Sequence, residues 1–188
     1  MSQKPTVFIH TNDKQILGAL VGMYSIKKAS RYADSFDVKL IRLEETPHLM
    51  KRQGQKYLRK GKIAVWLNED LQSFSPLRRM VPQLMGFNGR AVVTDPDVFA
   101  IGDIYDLLTM DMDGKAVMCR NVSDGYRGNG NHFYASSVML LDCSRLTHWR
   151  WDEEVDLMFE GKLDYGPWIG LKTENLRTIG EIGEEWNS

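Results

Sequence analysis

The sequence predicts an α/β fold with a largely parallel sheet, and three observations carry that expectation. Thr6 to His10 (TVFIH) is a short β-branched and aromatic run, which suits a buried strand. Ile16, Leu17, Leu20, Val21 and Tyr24 then recur at helical spacing, and Asp37 to Leu43 (DVKLIRL) resumes strand character with partial burial. Strand, helix and strand in that order point to a βαβ unit with parallel strands and a right-handed connection.

Composition sets the outer bounds. The chain has 188 residues, a formal net charge of −1, 43% hydrophobic residues and 26% charged ones. Those values suit one globular domain over residues 1–188 and exclude a disordered or collagen-like chain or a strongly charged nucleic-acid arm. No nucleic-acid partner is therefore expected. No apolar run reaches the roughly 18 residues that a membrane span needs, and Met-Ser-Gln-Lys-Pro shows no signal-peptide pattern. Cys119 and Cys143 offer neither metal-ligand spacing nor a disulfide framework. A reducing, cytoplasmic setting is the expectation.

Taken in order, Asp13 is the expected N-cap of the first helix, whose apolar stripe should face the core. Residues 51–62 read KRQGQKYLRKGK. They suit a solvated loop or helix face, with an anion-binding flap as the functional alternative. A second helix is expected from Ser75, with Pro76 in its first turn, a stripe of Leu77, Met80, Val81, Leu84 and Met85, and Gly86 as C-terminal cap. Pro82 interrupts it, so the helix should kink or tighten beside Arg78 and Arg79.

Arg90 to Thr94 (RAVVT) is the clearest buried strand, and residues 90–95 run into Asp95-Pro96-Asp97. Asp103 should cap a short helix, IYDLL. Lys115 to Cys119 and Phe133 to Asp142 read as further strands, and a helix-rich tail follows from Ser144. The three glycines of residues 124–131 suggest a mobile loop bordering a cleft.

Asp95 and Asp97 form the most informative pair. In extended backbone, residues i and i+2 share a face, so two carboxylates can converge just beyond a buried strand. Ligands of α/β sheets bind at that edge. Paired carboxylates there suit a hard divalent cation that bridges substrate phosphates. A plain Asp-Pro-Asp turn explains the same three residues equally well.

The ordered motifs narrow the choice. FSPLRRMVPQLMGFNGRAVVTDPDVFAIGDIYDLL (residues 74–108) and FYASSVMLLDCSRLTHW (133–149) resemble glycosyltransferase family 8, as do VFIHTNDKQILGALVGMYSIKKAS (7–30), LDYGPWIGL and the terminal EEWN. The resemblance implies a GT-A fold, a Rossmann-type mostly parallel sheet flanked by helices, binding a nucleotide-diphosphate sugar. It implies Mn2+ or Mg2+ held by Asp95 and Asp97, and donor contacts from Arg78, Asp95, Ser136 and Ser137. Thr11, Asn12 and Asp13 would hold the nucleoside, and Asp164 would orient sugar hydroxyls.

The implied activity is metal-dependent sugar transfer to an unidentified acceptor with retention. The alternative is a catalytically impaired nucleotide-sugar-binding module, and a purely structural interaction protein comes third. Thr11 stands where the family carries an acid, and Ala135 where it carries asparagine. The family's C-terminal His-containing segment has no counterpart among His10, His48, His132 and His148. Either a C-terminally truncated chain or an incomplete metal site is expected. His10 and His148 read as structural, and Trp149, Trp151, Trp168 and Trp186 read as core aromatics rather than sugar platforms.

Overall fold

A computed structural model describes residues 3–122 and 133–187. The segment 124–131 and His132 lie outside the described residues. The first strand, β1 (Thr6–Thr11), is followed by α1 (Ile16–Ala29) and β2 (Asp37–Arg42). β1 and β2 pair in parallel, Thr6 opposite Asp37 through Thr11 opposite Arg42, as the βαβ reading requires. β5 (Arg90–Thr94) joins the other side of β1, also in parallel. Beyond it lie β7 (Tyr134–Asp142), β6 (Val117–Asn121) and β8 (Ile179–Glu181), giving the order β2-β1-β5-β7-β6-β8. β7 runs antiparallel to both neighbours, whereas β6 and β8 are parallel. The sheet is mostly parallel and flanked by helices.

Alternation along β1 and β5 divides the core into two layers. Val7, Ile9 and Val92 pack with Ala19 and Ile26 of α1 and with Leu107 and Leu108 of α4 (Ile104–Thr109). Phe8, Ala91 and Val93 face the other way, toward Leu77, Trp149, Trp151 and Trp168. Those three tryptophans are core residues as expected, while Trp186 is only partly buried.

Several local expectations are corrected. Asn12, not Asp13, caps the start of the helical segment, its side chain accepting from Gln15 N–H; Asp13 instead pairs with Arg42 at 2.7 Å. The apolar stripe of α1 faces outward, because the small residues Gly18, Ala19 and Gly22 take the inner side. A Cβ on Gly18 would sit 2.7 Å from the Pro96 carbonyl oxygen, and one on Gly22 2.9 Å from that of Val98. Larger residues would hold the helix off the segment after β5.

The basic run is only partly the solvated loop expected: residues 51–54 form turns, but most of the rest is built into strands. After the one-turn helix α2 (Pro47–Met50), β3 (Lys56–Arg59) and β4 (Lys62–Val65) form an antiparallel hairpin. Lys60 and Gly61 make its two-residue turn, both with positive φ (53° and 72°), the geometry of a type I′ turn.

Pro82 acts as expected. The segment Ser75–Met80 tightens into a 3-10 helix, and α3 (Val81–Leu84) restarts with Pro82 in its first turn. Gly86 ends it at φ 57°. Asp103 caps α4, accepting from Tyr105 N–H at 3.1 Å. The helix-rich tail expected from Ser144 opens with a 3-10 turn at Cys143–Arg145 and continues as α5 (Trp151–Phe159) and α6 (Tyr165–Ile169).

Candidate active site

The carboxyl ends of β1 and β5 lie side by side and carry His10, Thr11 and Asp95. Asp95 follows the last residue of β5, its N–H donating to Ser137 O at 2.9 Å. On the face carrying Ala91 and Val93, its Oδ1 accepts from Arg78 Nη2 at 2.8 Å. His10 Nε2 stands 2.9 Å from the same oxygen, yet no aligned hydrogen bond forms, and both ring nitrogens lack a hydrogen-bond partner. His10 packs on Phe74, with ring centroids 5.1 Å apart. Arg78 also donates from Nη1 to Ser136 O at 2.9 Å and to the Ser136 hydroxyl. One guanidinium therefore joins a 3-10 helix, the end of β5 and the small-residue start of β7.

Burial and charge oppose each other in this cluster. Burial pushes the Asp95 carboxyl up, Arg78 pulls it down, and the charge of Asp97 pushes it up again, leaving it at about 6. Burial, then Arg78, drives His10 well below the ordinary histidine range, so the ring is neutral at physiological pH.

The extended spacing assumed for Asp95 and Asp97 does not hold. The chain turns at Pro96 and Asp97, and Val98 N–H reaches back to Asp95 O at 3.4 Å. Asp97 is exposed and lines a cavity of about 650 Å³ with Thr94, Phe99, Ile101, Trp186 and Asn187. The two carboxylates remain close enough for Asp97 to raise Asp95. Among the described residues, no three His, Cys, Asp or Glu side chains gather as a metal-holding group. Asp95 and Asp97 are the two carboxylates that could hold a divalent cation here, with waters and substrate phosphates needed to complete its shell, since two carboxylates do not make an all-protein cage.

The remaining sequence candidates fall into different surroundings. Thr11 is buried, its hydroxyl donating to Asn12 O at 3.1 Å. Asn12 is buried as well, donating to Asp70 O and the Ser73 hydroxyl, both at 3.1 Å. Asn12 and Asp13 line a separate cavity of about 270 Å³ with Lys14, Glu44, Met50, Asn68 and Glu69. Ser137 donates to the Asn187 side chain at 2.9 Å, and that side chain donates in turn to Ala135 O at 3.1 Å. The chain near Asn187 thus lies over the start of β7.

Asp164 is tied to the β3–β4 turn. It accepts from Lys60 N–H at 2.7 Å, Gly61 N–H at 2.6 Å and Gly166 N–H at 2.9 Å. Burial raises its carboxyl, but the three donors together hold it below the usual range.

Arg79 escaped the sequence reading as a working residue. It is buried between Glu154 and Glu174, the latter at 2.7 Å, with its guanidinium 3.7 Å from the Trp149 ring centre. Two adjacent arginines inside one 3-10 helix were the available signal, since arginine is seldom buried without partners. Arg79 fixes that helix from behind while Arg78 points to Asp95.

The same architecture occurs in solved proteins. The glycosyltransferase GlyE of Streptococcus pneumoniae TIGR4 superposes with a TM-score of 0.63 at 13% identity, over 100% of this chain and 47% of that one. The bifunctional glycosyltransferase WbbM gives 0.67 at 11%, over 99% and 40%. The galactosyltransferase LgtC, in complex with donor and acceptor sugar analogues, gives 0.59 at 13%, over 95% and 73%.

The fold is that of glycosyltransferases. At these identities the likeness speaks for the fold alone, and the chain spans about half of GlyE or less than half of WbbM. No protein-family model and no curated protein sequence matches the chain. Among the described residues, no helix is long and apolar enough to cross a membrane.

Proposed function

We propose that this chain carries the donor site of a metal-dependent glycosyltransferase, which moves a sugar from a nucleotide diphosphate to an acceptor hydroxyl. The observation that carries the reading is the Arg78–Asp95 pair at the carboxyl ends of adjacent parallel strands, in a glycosyltransferase-like fold. In transfer, the acceptor oxygen bonds the anomeric carbon as the bond to the diphosphate oxygen breaks. The electron pair leaves with the diphosphate, and the acceptor proton is released to it or to solvent.

Arg78 is the cation nearest the leaving charge, preorganised by Ser136 so that little rearrangement is needed. Asp95 and Asp97 would hold Mn2+ or Mg2+, which neutralises diphosphate charge when bound. The family resemblance supports retention of anomeric configuration. Thr94, Trp186 and Asn187 wall the cavity beside Asp97 and so border the reacting region.

A second reading has a specific observation behind it. Asp164 spends both carboxylate oxygens on backbone donors, leaving less of it to orient a sugar, which favours a binding module with impaired transfer. Incubation with uridine- and guanosine-diphosphate sugars and manganese separates the readings. Release of nucleoside diphosphate that disappears in Arg78→Lys supports the transferase. Metal-dependent binding without release supports the binding module, and neither activity defeats the proposal.

A further inference from the structure

The cavity of about 650 Å³ beside Asp97 holds a polar group that the donor site does not use. Residues i and i+2 of a strand share a face, so Thr94 at the end of β5 lies on the α1 and α4 side with Val92, while Asp95 turns to Arg78. Thr94 is buried on the cavity floor with Ile26, Ile104 and Val138. Its hydroxyl is shielded from solvent and has no hydrogen-bond partner among the described residues. Buried polar atoms are nearly always paired, so an orphaned hydroxyl lining a cavity points to a group that a ligand brings.

The rim has the opposite character. Phe99 is 50% exposed and Ile101 97%, and partly buried Trp186 stands in the wall. That wall is pinned in place: Arg120 donates to Asn187 O, and the Asn187 side chain is engaged by the Ser137 hydroxyl and Ala135 O. With Asn187 spent, the polar side chains left to meet a ligand are Thr94, Asp97 and, at the exposed edge, Glu185. Two carboxylates and no cation among the described lining residues suit hydroxyl donors and disfavour an anion. Small-molecule sites have this size and this make-up, apolar walls with a few convergent polar groups.

We propose that this cavity receives the acceptor, a neutral amphipathic alcohol whose hydroxyl lies at the Thr94 and Asp97 end and whose apolar body lies along Phe99, Ile101 and Trp186. Its role as acceptor rests on the transferase reading, whereas the cavity's affinity for such a molecule does not.

Octyl β-D-glucopyranoside, a neutral sugar with an apolar tail, is the probe, titrated into the full chain below its micelle-forming concentration without metal or nucleotide. Saturable binding is expected, with methyl β-D-glucopyranoside at least about tenfold weaker, because the tail is what Phe99 and Ile101 meet. Trp66, Trp149, Trp151 and Trp168 are buried, so the accompanying change in tryptophan fluorescence should come from Trp186 and vanish in Trp186→Leu. Thr94→Val keeps nearly the same shape without the hydroxyl and should lower affinity on the order of fivefold. Phe99→Ser should lower it about tenfold, with the circular dichroism spectrum of both variants unchanged. Absence of saturable binding, equal binding of the two glucosides, or binding that either substitution leaves untouched overturns the inference. The donor-site reading is tested by nucleotide and metal, both absent here, so the two readings fail separately.

Discussion

Arg78 and Asp95 meet at 2.8 Å, and that contact joins a 3-10 helix to the end of a central strand. Arg78 also donates from Nη1 to Ser136, so the pair is braced by the start of β7. Arg78 is almost fully buried, and its Nε has no hydrogen-bond partner. Asp95 shares its Oδ1 with His10, a ring kept neutral by burial and by Arg78 itself. The pair sets a buried guanidinium beside a carboxyl that ionises only near pH 6.

Removing the cation should cost stability. Arg78→Met leaves Asp95 beside an apolar side chain, where its carboxyl, already raised to about 6, takes up a proton, so the lost hydrogen bonds cost about 1–3 kcal/mol. Urea unfolding at neutral pH should show a loss of that order, with recovery at a pH low enough to protonate Asp95. A midpoint that does not move would contradict the pairing.

Asp95 also predicts a pH signature. Its folded-state pKa of about 6 exceeds the ordinary 3.8, so its contribution is fully present below 3.8 and is lost as pH rises through about 6. Asp95→Asn should remove that decline. The difference between the two stability–pH curves should grow across this window by on the order of 3 kcal/mol. Parallel curves would argue that the carboxyl is ordinary.

Arg79 offers a contrast with its neighbour. Arg79→Ala leaves Glu154 and Glu174 facing each other without their shared cation, at a cost of about 3–5 kcal/mol. Because Arg79 anchors the helix that presents Arg78, nucleotide affinity should fall as well. Calorimetry under conditions where the variant is folded checks this, and unchanged affinity would separate the two arginines.

Gly22→Ala places a Cβ 2.9 Å from the Val98 carbonyl oxygen and must push α1 away from the segment after β5. Overpacking of this kind costs about 1–3 kcal/mol. A thermal scan should show the lowered Tm, whereas alanine at Gly102, with no atom within 4 Å of its Cβ, should leave Tm nearly unchanged.

Much of the fold was legible because short-range patterns were enough. The alternation in β1 and β5, the βαβ order, the Pro82 tightening and the Asp103 cap all depend on neighbours in sequence. The direction of α1 was not legible from its apolar stripe, because close packing on the Pro96 and Val98 carbonyls selected glycine and alanine instead. The β3–β4 hairpin hid within a basic run, although Lys60-Gly61 is a usable turn signal and Tyr57 points inward. At the site, Asp95 and Arg78 could be named from motif order. The role of Arg79 could not, since its carboxylates lie 75 and 95 residues away, at Glu154 and Glu174. The turn at Pro96 likewise undid a spacing argument that held only for extended chain.

In the proposed function, Asp95 and Asp97 bind a nucleoside diphosphate through a divalent cation. Calorimetric titration with uridine diphosphate and guanosine diphosphate, with and without manganese, tests it most directly in the wild-type chain and in Asp97→Asn. Manganese-dependent binding that weakens by about ten- to a hundredfold in the variant is expected, the usual cost of one charge-assisted contact. Tight binding without metal, or manganese-dependent binding that Asp97→Asn leaves untouched, would contradict it.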